Sequence, residues 1–260
     1  MSRTGRLFLC PAPLDFGCEP PLPAITDVLP AGTLQTMAGL QYWACENAKT
    51  LRQLLKRVDE VVPLQHPLQE MQISVLPRDM HKKGDHAGGS ARSWQQEARQ
   101  LLQPALQGHD MGLASEAGMP AVADPGSSLV RAAHEVGIQV VPLTGPSSIL
   151  LALAASGLNG QNFAFIGYLP QDPAAREKRL KELETLARKT GQAQLWIETP
   201  YRNNAMLEQV LRVLSPDTVL CIAHGLTLSS AGVTSAMISR HRQSPPQLPP
   251  KVPALFGIGP

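Results

Sequence analysis

The sequence predicts an α/β protein built from two α/β domains, and three observations lead to this fold class. Short apolar runs alternate with stretches of helical periodicity along most of the 260 residues. The run Ile138–Leu143 is continuous and rich in β-branched residues, as in parallel strands buried on both faces. Turns rich in small residues separate such runs from the helices that follow. The segment Leu158–Asn162 is the predicted linker, so the predicted domains are residues 1–158 and 159–260.

The first predicted domain alternates strands with helices after a short N-terminal segment. Its predicted strands are Leu7–Cys10, Thr33–Ala38, Gln41–Ala44, Met111–Ala114 and Ile138–Leu143. Its predicted helices are Glu46–Val58, Trp94–Leu106 with a disturbance at Pro104, a helix that starts near Asp124–Ser127 and stops at Gly137, and Ser148–Gly157. Asp124 or Ser127 is the expected cap of the third helix. The proline-rich segment up to Pro23 fits neither a regular helix nor a central strand, and Pro63–Pro77 stays ambiguous.

The second predicted domain repeats the alternation. Its predicted strands are Phe163–Tyr168, Gln194–Glu198, Thr218–His224 and Val252–Ile258. Its predicted helices are Ala174–Lys189, Asn203–Leu214 and Ser230–Arg242.

Composition excludes several classes of protein. The formal net charge of +2 gives no bulk attraction to nucleic acid, although a local basic patch stays open. No apolar run is long enough to span a membrane, and the stretch after Arg6 is too short for a signal peptide. The four cysteines form no CxxC pair, which indicates free thiols in a cytoplasmic protein rather than a zinc site or a disulfide framework.

Two neighbouring loops, Ser115–Pro120 and Thr144–Ser148, are the candidate ligand site. Each follows a predicted parallel strand, and ligands of open α/β sheets bind at the carboxyl ends of the strands. Small residues let a ligand approach the backbone, and N–H groups after Pro146 suit a carboxylate or another acceptor. The alternative is that these residues only make compact turns.

Two further segments allow two interpretations each. The predicted mobile loop Arg78–Ser93 carries cationic and imidazole side chains that suit a phosphate or a carboxylate, or that are simply solvated: His81, Lys82, Lys83, His86 and Arg92. No cysteine or carboxylate cluster accompanies the histidines, so no metal site is predicted. Glu198 ends a strand, where it either faces a ligand or pairs with Arg202.

These blocks, in this order, resemble one family. Ser115–Pro120 with Asp124–Gly126 is similar to the S-D-A-G-T-P…D-P-G signature of the ribosomal RNA small-subunit methyltransferase I subgroup of the tetrapyrrole methylase superfamily. Val141–Ser148, Phe165–Pro170 and Trp196–Arg202 resemble its later blocks, the last two being F-x-G-F-L-P and F-Y-E-S-x-H-R. The resemblance is close from about Met111 to Leu214.

The resemblance implies S-adenosylmethionine-dependent methyl transfer by a homodimer of two-domain α/β chains, with the cofactor in the cleft between the domains. The residues that it places at the cofactor are Pro13, Leu14, Ala117, Gly118, Met119, Val122, Ser147, Ser148, Glu198 and Leu226. The implied acceptor is structured RNA, with ribose 2′-O-methylation of ribosomal RNA as the implied reaction. A ribose hydroxyl needs a base, and Glu46 matches the family block, although it also suits a helix start. No metal is implied.

The departures from the family concern the acceptor more than the donor. The first loop, P-T-P-I-G-N-L in the subgroup, reads Pro11–Phe16 here without the glycine and asparagine. The A-E-D-T-R block becomes Cys45–Lys49, and A-R-E-L-T becomes Ala223–Thr227, so an Asp, a Thr, an Arg and a Glu are lost. Two alternatives therefore stay open: a methylase of a tetrapyrrole-like small molecule, and a degenerate homologue that only binds a ligand or a partner.

Overall fold

The computed structural model describes residues 4–15, 17–18, 20–77 and 97–260, which divide into two compact units. The first unit comprises described residues within 1–16 and 23–146, and the second comprises those within 17–22 and 147–260. The second unit thus begins before helix Ser148–Ser156, not after Leu158 as predicted. The reason is packing, because Ile149 and Leu153 of this helix join a core cluster with Leu195 and Leu255.

The first unit contains a five-stranded, fully parallel sheet. Its strands are β1 (Arg6–Cys10), β2 (Tyr42–Cys45), β3 (Gln72–Val75), β4 (Met111–Ala114) and β5 (Gln139–Pro142). Their order is β3-β2-β4-β1-β5. Its helices are α1 (Ile25–Val28), α2 (Ala31–Ala38), α3 (Ala48–Asp59), α4 (Gln103–Leu106) and α5 (Ser127–Glu135), and residues 97–101 are also helical.

Both faces of this sheet are covered, as the continuous apolar strands predict. Successive residues point to opposite sides, so Phe8 joins one buried cluster and Leu7 the other. Trp43 is fully buried and lies over Gly112 of the adjacent strand, where a Cβ would come within 2.5 Å of its ring. The glycine therefore makes room for the largest side chain of this core.

The second unit contains a five-stranded mixed sheet. Its strands are β6 (Phe163–Tyr168), β7 (Ala193–Glu198), β8 (Val219–His224), β9 (Gly232–Met237) and β10 (Ala254–Gly259), in the order β6-β7-β10-β8-β9. Only β6 and β7 run parallel. Its helices are α6 (Ser148–Ser156), α7 (Pro173–Thr190), α8 (Asn203–Val213) and α9 (Ile238–Gln243), with a 3₁₀ turn at Pro200–Arg202. Trp196 and Phe256 stack in its core with ring centroids 5.8 Å apart.

Most predicted elements are confirmed to within a few residues, but two assignments are wrong. The predicted strand Thr33–Ala38 is helix α2, whose buried residues Thr33, Leu34, Met37 and Ala38 recur at helical spacing. The predicted helix Ser230–Arg242 contains β9, an edge strand paired antiparallel with β8, and it is helical only from Ile238 onward. Pairing with β8 decides this segment, which has weak periodicity of its own.

The loop Arg78–Ser93, with its candidate cations, lies outside the described residues. Cys10, Cys45 and Cys221 are buried free thiols, as predicted. Burial raises the pKa of the Cys45 and Cys221 thiols to about 11. Within the described ranges, no helix combines the length and the apolar character that crossing a membrane requires.

Candidate functional site

The carboxyl edge of the first sheet gathers the loops that the sequence singled out. Because all five strands are parallel, the segments after β1, β2, β4 and β5 leave the sheet at the same edge. These segments contain the predicted site residues of this unit: Pro13, Leu14, Glu46, Ala117, Gly118, Met119 and Val122. The predicted ligand edge is therefore assembled from four separate stretches of chain.

The loops after β1 and β4 are paired through their backbones. The N–H of Ala12 donates to the carbonyl of Gly118 at 2.9 Å, and the N–H of Gly118 donates back at 3.0 Å. Gly118 has φ +70°, and a Cβ there would lie 3.3 Å from Cδ2 of Leu14. A glycine is needed for this left-handed backbone conformation. The antiparallel pairing places Pro13 beside Ala117, and Leu14 lies against Gly118.

The loop after β5 is held against the same place. A Cβ on Gly145 would lie 2.3 Å from Cγ of Pro11, so the absence of a side chain allows the two loops to touch. Thr144, the residue before Gly145, is also held in place, because its carbonyl accepts a hydrogen bond of 2.8 Å from Oγ1 of Thr33 in α2. The three loops are thus joined by the backbone pair of Ala12 and Gly118 and by the contact of Gly145 with the ring of Pro11.

Val122 is exposed by an unusual stretch of backbone. Its neighbours Ala121 and Ala123 both have φ +65°, a left-handed conformation that costs a residue with a Cβ about 1–3 kcal/mol. The Val122 side chain is 47% exposed between them. Such strain concentrates at ligand-binding segments, which agrees with the placement of Val122 at the site.

Glu46 contacts the loop after β4. Its backbone N–H donates to the carbonyl of Ala114 at 3.3 Å, and its Oε2 accepts from the N–H of Glu116 at 3.4 Å. The cap of α3 is Asn47, whose side chain accepts from the N–H of Lys49 at 2.9 Å. Glu46 is therefore not the cap of α3, and it lies at the carboxyl edge of the first sheet.

Asp124 does not cap α5, contrary to the prediction. The helix begins at Ser127 with Gly126 as its N-cap, at φ +130°, and has no side-chain cap hydrogen bond. Burial, followed by the nearby carboxylates of Glu46 and Glu116, raises the pKa of Asp124 to about 7. Three carboxyl groups thus share this edge, and one of them titrates near neutral pH.

Ser115 adds a polar atom without a partner. The residue is 8% exposed, and its Oγ is buried with no hydrogen-bond partner among the described residues. Buried hydroxyls are usually hydrogen-bonded, so such an atom at a ligand edge suits a ligand group. No sequence pattern distinguishes this serine from the other small residues of the loop.

Asp15, which departs from the family loop, has a structural role. Its Oδ2 accepts from Nη1 of Arg57 in α3 at 2.8 Å, and the Arg57 Nη2 also donates to the carbonyl of Pro23 at 3.0 Å. The Asp15 side chain is only 9% exposed. The altered loop is therefore anchored to α3 by a largely buried ion pair that sequence analysis did not find.

In the second unit, Glu198 ends β7 as a buried carboxylate. Its Oε1 accepts from the N–H of Thr199 at 2.7 Å, from Oγ1 of Thr199 at 3.1 Å and from Nε of Arg202 at 2.8 Å. The side chain is 2% exposed. The pair with Arg202, one of the two interpretations of the sequence, is present, but it is not a surface pair.

The same edge of the second sheet carries the remaining predicted residues. Ala254 of β10 lies opposite both Glu198 of β7 and His224 of β8, so the segment around Leu226 leaves the sheet near Glu198. Leu226 packs against the cluster that contains Ile149, the neighbour of Ser148 at the start of α6. Ser147, Ser148, Glu198 and Leu226 therefore share one region of this unit.

Two buried polar atoms at this edge also have no hydrogen-bond partner among the described residues: Nδ1 of His224 and Oγ1 of Thr227. Burial lowers the pKa of His224, so the imidazole is neutral at pH 7. Thr227 has φ +75°, the left-handed conformation again. The only sequence signal for these residues was the departure of Ala223–Thr227 from the family block.

No group of three or more histidine, cysteine or acidic side chains is placed to hold a metal ion in the part of the chain that the structure describes. Within each unit, the candidate residues supply loop backbone, buried polar side-chain atoms and carboxylates. This set suits a polar organic ligand.

Comparison with known proteins identifies the family. The model of the Tetrapyrrole (Corrin/Porphyrin) Methylases matches residues 47–232. A Ribosomal RNA small subunit methyltransferase I from Vibrio cholerae is 37% identical over 133 residues, which are 51% of this chain and 45% of that protein. Its counterpart from Mesorhizobium japonicum is 33% identical over 195 residues, 75% of this chain and 57% of that protein. The chain spans about half the length of the curated relatives it matches.

Solved structures agree on the fold. The crystal structure of the methyltransferase CobJ superposes with a TM-score of 0.54 at 18% identity, covering 98% of this chain and 94% of that chain. The family match includes Gly118, Glu198 and Leu226, and it begins after Pro13, Leu14 and Glu46. This chain belongs to the tetrapyrrole (corrin/porphyrin) methylase family.

Proposed function

We propose that this chain is an S-adenosylmethionine-dependent methyltransferase that methylates a ribose 2′-hydroxyl of ribosomal RNA. The observation that carries the proposal is the pair of backbone-linked loops at Ala12 and Gly118, at the carboxyl edge of a parallel sheet, in a member of the methylase family. The names of the curated relatives support ribosomal RNA as the acceptor.

In the first unit, the residues that would contact S-adenosylmethionine lie where the loops meet. These residues are Pro13, Leu14, Ala117, Gly118, Met119 and Val122. A side chain at Gly118 or Gly145 would fill space between the loops, and the Ser115 hydroxyl has no partner among the described residues. Both features fit a ligand with hydroxyl and amine groups that approaches the backbone closely.

In the second unit, the residues that would contact the cofactor are Ser147, Ser148, Glu198 and Leu226. The hydrogen bonds of Glu198 with Thr199 and Arg202 all end on Oε1, so its second oxygen suits a donor group of the ligand. Nδ1 of His224 and the hydroxyl of Thr227 suit further polar groups of the ligand.

The bound cofactor would supply an electrophilic methyl group, and the residues of this chain would orient the acceptor and receive its proton. We propose that the carboxylate of Glu46 accepts the hydroxyl proton. Asp124 is the second proposed acceptor, because a pKa of about 7 lets it gain and lose a proton near neutral pH. The rigid loop contacts at Pro11 and Gly145 would keep the acceptor aligned.

We also propose that the chain acts as a homodimer in the cytoplasm, where ribosomal RNA is available to it. Helix α6 supports self-association, because Leu150 and Leu151 are exposed on a helix that is otherwise apolar. Sedimentation equilibrium tests this, and a single species of 28.0 kDa at all concentrations would refute the dimer.

Isothermal titration with S-adenosylmethionine and its demethylated product tests the donor site first. Micromolar binding, followed by transfer of a labelled methyl group to ribosomal RNA and its localisation on a ribose, is the expected result. Transfer to a tetrapyrrole-like compound instead would refute the proposed acceptor. If the folded protein does not bind S-adenosylmethionine, it is a homologue that has kept the fold but not the cofactor site. The departures from the family blocks at Asp15, His224 and Gly225 agree with that outcome.

A further inference from the structure

Tyr201 is the most exposed large hydrophobic side chain of the described residues, with 82% of its surface accessible. It lies in the 3₁₀ turn Pro200–Arg202, directly after β7. Its backbone is fixed on both sides, because the N–H of Thr199 donates to Glu198 and the N–H of Arg202 donates to the carbonyl of Thr199 at 3.0 Å. An aromatic ring is therefore presented to solvent on a rigid support.

The guanidinium of Arg202 lies over this ring. Its Cζ is 5.6 Å from the ring centroid of Tyr201, within the range of a cation–π contact. Nε and Nη2 of the same guanidinium are both 2.8 Å from Oε1 of Glu198, which is buried. The position of the planar guanidinium is thus fixed by the core and not by the mobile surface.

The ring lies just beyond the carboxyl end of β7. Glu198 is three residues before Tyr201, and Ala254 of β10 pairs with both Glu198 and His224 at that edge. Its neighbours in the chain are Pro200, which belongs to the same turn, and Arg202, whose guanidinium lies over the ring. An exposed flat ring beside one cation suits a flat ligand with polar edges better than a wide apolar macrocycle.

We infer that Tyr201 and Arg202 form a stacking platform for an unpaired nucleobase of the acceptor RNA. The inference rests on the proposed function and names the part of the protein that holds the acceptor. Single-stranded RNA offers splayed bases that stack on aromatic rings and on arginine planes, and each base has a π-face. The platform would then hold a neighbouring nucleotide and leave the reacting ribose to the rest of the site.

Fluorescence anisotropy with a labelled oligouridine, and with a duplex of the same length, tests this inference. Tyr201→Ala should weaken binding of the single strand about 5- to 150-fold, because stacking contributes about 1–3 kcal/mol per base. Tyr201→Phe keeps the ring and should stay within about twofold of the wild type. Binding of the duplex, whose bases are already stacked, should change little in either variant.

Phe163→Ala is the matched control, because Phe163 is an exposed aromatic at the amino end of β6, the opposite edge of the same sheet. Equal effects of Tyr201→Ala and Phe163→Ala, or no effect of Tyr201→Ala, would overturn the inference. Titration of each variant with S-adenosylmethionine separates the two proposals. A wild-type chain that binds no S-adenosylmethionine refutes the methyltransferase, whereas loss of the Tyr201 effect alone refutes only the platform.

Discussion

The contact between Gly145 and Pro11 makes the loop arrangement testable by one added methyl group. In Gly145→Ala the new Cβ would lie 2.3 Å from Cγ and 2.4 Å from Cβ of Pro11. Carbon atoms normally pack about 3.5–4.0 Å apart, so one loop must move by more than about 1 Å. The proline ring is rigid and cannot turn away, so the backbone has to shift.

Two effects of different size follow from this shift. Overpacking of this kind costs about 1–3 kcal/mol of the free energy of unfolding. For a protein of this size each kcal/mol lowers the midpoint of thermal unfolding by about 2–4 °C. A displacement of about 1 Å at the loops costs up to about 100-fold in the rate of methyl transfer. Affinity for S-adenosylmethionine should fall as well, because the loop after β1 would no longer pair with Gly118.

Calorimetry of thermal unfolding and titration with S-adenosylmethionine measure the two effects separately. Gly32→Ala is the control, since Gly32 lies in α2 with open space around the position of a Cβ. Alanine favours a helix, so this variant should be as stable as the wild type or more stable. If Gly145→Ala keeps both the unfolding midpoint and the affinity of the wild type, the three loops are not in the close contact described above.

Three further variants probe the site and its support. The folded protein binds the proton of Asp124 more tightly than the unfolded chain, whose carboxyl titrates near 3.8, so the unfolding free energy falls as the pH rises from about 4 to about 7. Asp124→Asn should make this fall smaller. Arg57→Ala should cost about 1.5–3 kcal/mol, since it leaves the Asp15 carboxylate largely buried without its partner. Thr227→Val should raise the unfolding free energy by about 1 kcal/mol by removing a buried hydroxyl without a partner among the described residues, and should weaken S-adenosylmethionine binding about 2- to 10-fold.

Each of these variants has a comparison that decides its interpretation. Asp27→Asn changes an exposed carboxylate of α1 and should leave the pH profile as it is; an equal flattening would remove Asp124 from the explanation. Arg179→Ala breaks an exposed pair with Glu182 and should cost less than about 1 kcal/mol. A loss as large as that of Arg57→Ala would mean that burial is not the cause. Unchanged affinity in Thr227→Val would exclude its hydroxyl from the site.

The sequence predicts β1, β2, β4 and β5 of the first sheet because their signals are local. Continuous apolar runs at Met111–Ala114 and Ile138–Leu143, separated by a helix that stops at Gly137, allow only a parallel arrangement with its loops at one edge. The family blocks then identify the loops at that edge. Their contact through Ala12 and Gly118 depends on strand order, which no local pattern contains.

The errors arise where partners from elsewhere in the chain decide the structure. The segment Gly232–Met237 becomes a strand because β8 offers it an edge. Helix α6 is apolar around most of its circumference, so its sequence does not indicate which of two cores receives it. Asp124 begins the turn Asp124–Gly126, in which an aspartate often caps the helix that follows. Here Gly126, with its positive φ, is the N-cap, so Asp124 does not cap the helix.

Each sheet contains an internal strand that lies far along the chain from both of its neighbours. Strand β1 is flanked by β4 and β5, and β10 is flanked by β7 and β8. Such pairings close late in folding, because long stretches of chain must be ordered first. Until residues 254–259 leave the ribosome, the second sheet consists of two separate strand pairs whose inner edges have no partner. A nascent chain at that stage would be prone to aggregation and would depend on chaperones that cover exposed strands.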